Sequence, residues 1–382
     1  METLYLDHNA SAPLRREALE AMQPWLGAAQ ANPSSLHKAG QKARAAVEAS
    51  RKLVAQALGA HPDEVLFTSG ATEACNLAIL AACQEGRRPL VVSQGEHHAV
   101  LHTAEALQAQ GTVVVFVPLL PQGSVDLDAL DAALDTHPGA VVACMHANNE
   151  TGAVSPIDMI ARRVQKAGGL FFCDITQSLG KLALDLSGLG VDLAAASAHK
   201  FGGPQGVGIL FKRKTLKLAA RVFGGSQEQS LRPGTENLAG IVGMAAALQA
   251  SLQGLEAQSQ AWAEARDCWI DGLQKLWPGL AIHGGDIALA NTLSVSFVGL
   301  ENDTLLLKLD QLGLQASAGS ACAAGASEPS HVLAAMGLGP RHQQSVIRFS
   351  LGAGQGLAQA QEALKRVAQA LADLRAAGLI PA

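Results

Sequence analysis

The chain has 382 residues, of which 48% are hydrophobic and 16% are charged, and its formal net charge is −5. This composition predicts a globular protein of about two to three domains with a large core, and it excludes an intrinsically disordered chain. The acidic balance argues against nucleic acid or an anionic membrane as a partner. No apolar run can span a bilayer, and the first residues lack the layout of a signal peptide. We therefore expect a cytoplasmic protein.

Apolar, strand-like runs alternate with helical patterns through most of the chain. The strands are predicted at 64–68, 89–93, 113–117, 140–145, 170–173, 193–196 and 206–211, with helices from residue 72 and over 99–110. Continuous apolar runs of this kind are typical of buried strands in a mainly parallel sheet with helices on both faces. The sequence therefore predicts an α/β protein.

The pattern changes near residue 236, where two long helical segments, 236–253 and 256–276, precede a smaller α+β pattern. We therefore predict two domains. The large domain covers residues 15–255, and the small domain combines residues 1–14 with 256–382. The apolar strand at 4–6 is expected to join the small domain.

The segment 68–74, Thr-Ser-Gly-Ala-Thr-Glu-Ala, joins a predicted strand to a predicted helix. Its small residues, Ala71 among them, let the backbone approach an anion, and Thr72 adds a hydroxyl beside the first-turn amides. An ordinary helix start, in which Glu73 interacts favourably with the helix dipole, explains the same residues. Taken alone, the segment favours the ordinary helix start.

Two adjacent histidines, His97 and His98, follow the predicted strand 89–93. On a strand they would point to opposite faces, so they make a poor metal site, and no metal is expected. We expect His97 to face a cleft, where an imidazole can stack on a planar ring and move protons near neutral pH. His98 and His102 are expected at the surface.

Asp174 and Lys200 each follow an apolar strand of the predicted sheet. Ligands of open α/β sheets collect at the carboxyl ends of strands, so both side chains are expected to face one site. A half-buried lysine needs a partner or a lowered pKa, and a neutral amine is what Schiff-base chemistry requires. The alternatives are a helix-capping aspartate and a surface lysine.

The cysteines form no C-x-x-C pair, which argues against a zinc site or a dithiol. Cys322 lies in a segment of small residues at about 316–328, which predicts a mobile loop that carries a reactive thiol between a site and an acceptor. The others are expected to be buried apolar groups: Cys75, Cys83, Cys144, Cys173 and Cys268.

Arg348 interrupts a strand pattern of bulky apolar residues at 345–350. An inward guanidinium needs a carboxylate. That carboxylate can belong to a substrate, bound bidentately, or to an internal salt bridge, and the sequence leaves both open.

Taken together, the motifs resemble the cysteine desulfurases, which belong to the class V aminotransferases. The resemblance covers nearly the whole chain and is carried by segments 5–10, 32–37, 68–73, 146–150, 197–200 and 232–237. Gly-Ser-Ala-Cys at 319–322, followed by 328–333, is similar to the long cysteine loop of the nitrogen-fixation and housekeeping iron–sulfur enzymes. The fold implied is that of fold-type I pyridoxal phosphate (PLP) enzymes, with a seven-stranded sheet in the large domain.

The resemblance also implies roles for individual residues. Lys200 would hold PLP covalently and shuttle protons, His97 would stack on its ring, Asp174 would pair with the ring nitrogen and Gln177 would donate to the ring oxygen. Cys322 would attack the sulfur of L-cysteine, leaving L-alanine and a persulfide. The remaining contacts implied are with the phosphate (Ala71, Thr72, Ser197, His199 and, from a neighbouring subunit of a homodimer, Thr235) and with the substrate (Arg348 and Asn149, the latter also beside the cofactor).

The sulfur would then pass to an acceptor protein such as an iron–sulfur scaffold, where Cys322 would contact the cluster transiently. A selenocysteine lyase, another class V aminotransferase, or a catalytically silent sulfur-transfer scaffold subunit are the alternatives. The sequence departs from the family at Ser226 and Ser230, where glycines are usual. Their Cβ atoms are expected to stiffen the turn that carries Thr235.

Overall fold

The computed structural model describes residues 3–27, 31–83, 88–319 and 329–380. Most strands are short and buried along their whole length. In chain order the strands are β1 (Leu4–Tyr5), β2 (Val65–Thr68), β3 (Leu90–Ser93), β4 (Val114–Val117), β5 (Val141–Ala143), β6 (Leu170–Asp174), β7 (Leu193–Ser197), β8 (Gly208–Lys212), β9 (Leu280–His283), β10 (Thr292–Phe297), β11 (Leu314–Gln315) and β12 (Val346–Ser350).

The central sheet has seven strands in the order β2-β8-β7-β6-β5-β3-β4. Strands β3 to β7 pair in parallel, whereas β8 runs antiparallel to both β7 and β2. The predicted mainly parallel, seven-stranded sheet is therefore confirmed. Because five neighbouring strands run the same way, their carboxyl ends meet at one edge of the sheet.

Helices cover both faces of this sheet. The helices, in chain order, are α1 (Arg16–Met22), α2 (Lys38–Ala57), α3 (Ala71–Ala82), α4 (His98–Ala109), α5 (Leu127–Thr136), α6 (Ile157–Lys166), α7 (Leu238–Leu252), α8 (Leu255–Leu276), α9 (Asn302–Gln311), α10 (His331–Ala335), α11 (Pro340–Gln343) and α12 (Leu357–Ala376). Among the described residues no single helix is long and apolar enough to cross a membrane; α7 and α8 pass that test only as a pair, bent by 69° between them.

Alternate residues of each strand enter different cores. Val91 of β3 packs in the core beneath α2, α6 and α7, while its neighbours Leu90 and Val92 pack beneath α3 and α4. Period-two alternation between two apolar faces explains why the strands are apolar throughout. Cys75, Cys83, Cys144 and Cys173 are buried in these layers as predicted, whereas Cys268 is only half-buried.

A third core lies beside the sheet and takes its residues from both ends of the chain. It joins Leu6 to α8, α9, α12 and the antiparallel sheet β12-β10-β9. The N-terminal strand β1 pairs in parallel with β11, with Leu4 opposite Leu314. The first residues thus pack with the last third of the chain, whereas the domain limits at residues 14 and 255 stay predictions.

The turn before Thr235 has an unusual backbone. Glu228, Gln229 and Ser230 have φ values of 44°, 60° and 60°, in the left-handed region that favours glycine. The Glu228 side chain is buried, accepts a hydrogen bond from the Phe67 amide at 2.8 Å, and pairs with Arg51 at 2.7 Å. This buried ion pair holds the strained turn against β2.

We expect Ser230→Gly to raise the free energy of unfolding by about 1 kcal/mol, because glycine adopts a positive φ without a Cβ clash. Chemical denaturation measures the change. Ser226→Gly is the matched control: Ser226 has a φ of −86°, so glycine there gains nothing and should cost roughly 0.5–1 kcal/mol. Equal effects at the two positions would contradict this account.

Candidate active site

A pocket of about 380 Å³ lies at the carboxyl ends of β6 and β7, between the central sheet and β12. The apolar part of its wall includes Cys75, Met145 and Ala147. Its polar wall contains most of the site residues predicted from the sequence: Ala71, Thr72, His97, Asn149, Asp174, Gln177, Ser197, His199, Lys200 and Arg348.

One end of the pocket is the start of α3. Its N-cap, Gly70, offers no capping side chain, and the Ala71 amide donates instead to Ser197 Oγ at 2.6 Å. A Cβ at Gly208 would lie 2.6 Å from the Gly70 Cα, so glycine at 208 lets β8 pass close behind this turn. The result is a helix start without a capping side chain and with the Ser197 hydroxyl beside it, which is a suitable environment for a phosphate.

Lys200 lies on a single helical turn that directly follows β7. Its Nζ donates to the backbone oxygens of Asn9 and Ala10, each at 2.8 Å. Burial, with the charge of Lys200 adding to it, lowers the pKa of the adjacent His199 to about 4. His199 is therefore a neutral imidazole near neutral pH.

Asp174 is a buried carboxylate at the end of β6, with its residue only 6% exposed. Its Oδ1 accepts from the Thr176 amide at 2.8 Å, and no described lysine, arginine or histidine forms a salt bridge with it. A buried carboxylate of this kind calls for a cation. A bound group with a protonated ring nitrogen would provide one.

His97 is the N-cap of α4, and its Nδ1 accepts from the Ala99 amide at 3.1 Å. The helix predicted over 99–110 thus begins at His98, directly after His97. Burial lowers the pKa of His97, although the charge of Asp174 opposes that shift. Since Nδ1 is an acceptor, the neutral ring carries its proton on Nε2.

His102 is exposed, as expected, whereas His98 is half-buried among other rings. The His98 ring centroid lies 4.7 Å from that of His331 and 4.9 Å from that of His102. His331 in turn approaches the Glu96 backbone oxygen at 2.9 Å through Nε2. The pairing was not apparent in the sequence because His331 lies more than 200 residues along the chain from its partners.

Arg348 lies in β12 and is 1% exposed. Its Nη2 forms a 2.6 Å salt bridge with Asp7, so the internal ion pair considered from the sequence is present. Its Nη1 donates to the backbone oxygens of Asn149 at 2.8 Å and Gly319 at 3.2 Å. The guanidinium nevertheless lines the pocket, where its buried Nε has no partner among the described atoms.

Sequence reasoning missed several polar residues at this site. Lys181 donates to Asn9 Oδ1 at 2.9 Å and to Gln177 Oε1 at 2.7 Å, so it fixes both carboxamides. Burial, followed by the charge of Lys200, holds the pKa of Lys181 well below its usual value. The only sequence signal was a lysine between the apolar residues of 179–182, after Asp174.

Glu150 is a second missed residue. Its buried carboxylate accepts from Ser330 Oγ at 2.6 Å, and a Cβ on Gly319 would lie 3.1 Å from Oε2. Gly319 has a φ of 92°, so glycine suits both the backbone and the close approach. The residues on both sides of 320–328 therefore contact Glu150.

Two predicted residues are not part of the pocket as described. Thr235 is exposed and lies outside its lining. Cys322 lies outside the described residues. Within the described ranges, no group of three or more His, Cys, Asp or Glu side chains could hold a metal ion.

Buried neutral histidines should make the fold acid-sensitive. Burial lowers the pKa of His146 to about 4, so between pH 6.5 and 4 the unfolded chain binds a proton there that the folded chain does not. Stability is lost as the pH falls through that window, by about 2 kcal/mol at pH 5 for this residue. Urea unfolding at pH 7 and pH 5 should show a smaller difference for His146→Gln than for the wild type. Gln108 provides the control: it is exposed and does not titrate, so Gln108→Asn should leave the difference unchanged.

The chain matches the family model for class V aminotransferases over residues 4–362. It is 39% identical to the cysteine desulfurase IscS of Dictyoglomus turgidum, over 91% of this chain and 89% of that protein. It is 38% identical to an IscS-like cysteine desulfurase of Mycobacterium tuberculosis, over 99% of this chain and 98% of that protein.

Two solved structures are also similar to this chain. A NifS-like protein superposes with a TM-score of 0.91 at 35% identity, covering 97% of this chain and 100% of that one. SspA, solved in complex with cysteine, has a TM-score of 0.81 at 32% identity, covering 91% of this chain and 99% of that one.

Proposed function

The chain belongs to the class V aminotransferase family and is a cysteine desulfurase, and from that premise we propose that L-cysteine loses its sulfur in the pocket around Lys200 and that Cys322 receives it. The observation that carries this proposal is the arrangement of Lys200, Asp174 and Arg348 around one cavity. An amine, a buried carboxylate and a guanidinium are the groups that PLP chemistry on an amino acid requires.

The family is PLP-dependent, and the residues of this pocket fit that cofactor. The open start of α3, with Ala71 and Thr72, would hold the phosphate together with Ser197 and His199. Asp174 would face the ring nitrogen, Gln177 the ring oxygen, and His97 the ring itself. PLP supplies an aldehyde that condenses with amines and a ring that accepts electrons from a broken bond at the substrate α-carbon.

Lys200 is the base of this proposal. Its Nζ takes the substrate α-proton, and the carbonyls of Asn9 and Ala10, already at 2.8 Å, then stabilise the ammonium. His97 carries a second proton on Nε2 and is neutral near neutral pH, so it can donate or accept at the substrate sulfur. The apolar wall reduces the water available to compete for these protons.

Arg348 and Asn149 would hold the substrate, Arg348 through the substrate carboxylate. L-cysteine as the substrate is supported by the cysteine-bound structure of SspA. The Cys322 thiolate attacks the substrate sulfur, the carbon–sulfur bond breaks, and the electron pair left on carbon takes a proton. One L-cysteine and one thiol thus give one L-alanine and one persulfide.

We also propose a homodimer, an acceptor protein for the sulfur and a cytoplasmic location. A homodimer is part of this proposal: Thr235 follows the Glu228–Ser230 turn by five residues, is exposed, and would reach the phosphate in a neighbouring copy. A protein acceptor such as an iron–sulfur scaffold would take the persulfide from Cys322. A cytoplasmic location rests on the sequence expectation alone.

Lys200→Ala should abolish covalent attachment of PLP. The purified, reconstituted variant should lose the visible absorbance that survives gel filtration in the wild type, because Lys200 is the lysine among the described residues that line the pocket. Lys214→Ala is the control, since Lys214 is exposed and paired with Asp63 at 2.8 Å on the surface. If PLP stayed attached to Lys200→Ala through denaturation after borohydride reduction, as it should in the wild type, another amine would hold the cofactor and Lys200 would lose this role.

Cys322→Ala should separate substrate binding from sulfur transfer. Adding L-cysteine should still change the visible spectrum of the loaded variant, while multiple-turnover release of sulfide and L-alanine should stop. Cys268→Ala, at a half-buried cysteine, should behave as the wild type. Normal sulfide turnover in the Cys322 variant would contradict its role as the acceptor.

A further inference from the structure

The Asp7–Arg348 ion pair uses the same guanidinium that the proposed function assigns to the substrate, and the inference below rests on that assignment. Asp7 Oδ1 lies 2.6 Å from Arg348 Nη2. Nη1 is occupied by the backbone oxygens of Asn149 and Gly319, which leaves Nε without a partner among the described atoms. A substrate carboxylate must therefore approach a guanidinium that already has an anionic partner.

The Asp7 carboxylate balances the positive charge of the buried Arg348 side chain. Arg348 is 1% exposed, and an unpaired guanidinium at that depth would be strongly destabilising. Asp7 neutralises it while the site is empty, and no other described carboxylate forms a salt bridge with it. When a second carboxylate arrives, two anions share one cation, so part of the attraction is lost.

We propose that Asp7 competes with the substrate carboxylate for Arg348 and thereby sets how tightly amino acids bind. Asp7 is a positioning residue that acts through Arg348. L-cysteine and L-alanine carry the same carboxylate, so an attraction that is too strong would slow product release as much as it favours substrate binding. Binding energy that substrate and product share does not accelerate the chemical step.

The surroundings of Asp7 allow its carboxylate to move away from Arg348 when a substrate carboxylate binds. Its side chain is 19% exposed, whereas that of Arg348 is 2% exposed. Asp7 lines a separate groove of about 690 Å³ together with Tyr5, Asp303 and Asp310. Water in that groove can hydrate the Asp7 carboxylate when the substrate takes over part of the guanidinium. The arginine is fixed by two backbone oxygens and has no comparable freedom.

The backbone of Asp7 is held in place independently of the ion pair. Its carbonyl oxygen accepts from Tyr5 Oη at 3.0 Å and from the Ala10 amide at 3.1 Å. Asn9 donates to Thr292 at 2.9 Å, which ties the same turn to β10. Neutralising the Asp7 side chain should therefore change the charge beside Arg348 without releasing the turn.

The test compares two ligands of the PLP-loaded enzyme, L-alanine and ethylamine, by titration of its visible spectrum. Both present an amine, but only L-alanine has a carboxylate. In Asp7→Asn, which keeps the shape and an acceptor for Nη2, we expect the dissociation constant of L-alanine to fall about tenfold, while that of ethylamine stays within twofold. Asp303→Asn removes a carboxylate from the same groove without touching Arg348 and should change neither.

Weaker or unchanged L-alanine binding in Asp7→Asn would overturn the inference and leave Asp7 a structural partner only. An equal shift for ethylamine would overturn it as well, since the effect would not depend on the carboxylate. Asp7→Ser gives a second neutral variant if Asp7→Asn fails to fold, and Asp7→Glu should restore the wild-type ratio of the two constants.

Arg348→Gln separates this inference from the proposed function. It should weaken L-alanine binding at least tenfold and spare ethylamine. If it does not, Arg348 is not the carboxylate ligand and the substrate-binding part of the proposed function fails. If Arg348→Gln weakens L-alanine binding while Asp7→Asn changes nothing, Arg348 is the carboxylate ligand and only the proposed competition by Asp7 is wrong.

Discussion

A tight turn near the start of the chain holds two cations of the site at the same time. Asp7 pairs with Arg348, and the carbonyls of Asn9 and Ala10 accept from Lys200. Lys200 follows a strand of the central sheet, whereas Arg348 lies in the smaller antiparallel sheet. The turn therefore joins two cores, and the distance between the amine and the guanidinium depends on it.

The site gathers positive charge and neutral acceptors more than it gathers negative charge. Lys181 is buried against the carboxamides of Asn9 and Gln177, and its pKa is held down by burial. Asp174 lies across the pocket with no described salt-bridge partner. The hydroxyls of the pocket wall and the Arg348 guanidinium suit the phosphate and carboxylate of an incoming cofactor and amino acid, while Asp174 suits a ring cation.

The sequence was sufficient for the large features of the fold because they depend on local patterns. Seven apolar runs matched the seven strands of the sheet, and the helix predicted from residue 72 begins at Ala71. The packing of His98 against His331 could not be foreseen, because the two residues are far apart in the sequence. The contacts of Lys181 with Asn9 and of Glu150 with Ser330 could not be foreseen, since they join residues about 170 to 180 positions apart. Thr235 and Cys322 remain predictions.

The pairing of β1 with β11 has a consequence for synthesis on the ribosome. Leu4 lies opposite Leu314, so the first strand to emerge has no partner until more than 300 further residues have been made. The central sheet and the turn that carries Lys200 can assemble during that interval, because domains fold as the chain emerges. Arg348 and its strand emerge about 150 residues after Lys200. The part of the site that carries Lys200 can thus form well before the part that carries Arg348. A chain truncated between these two residues would keep the lysine and lack the guanidinium.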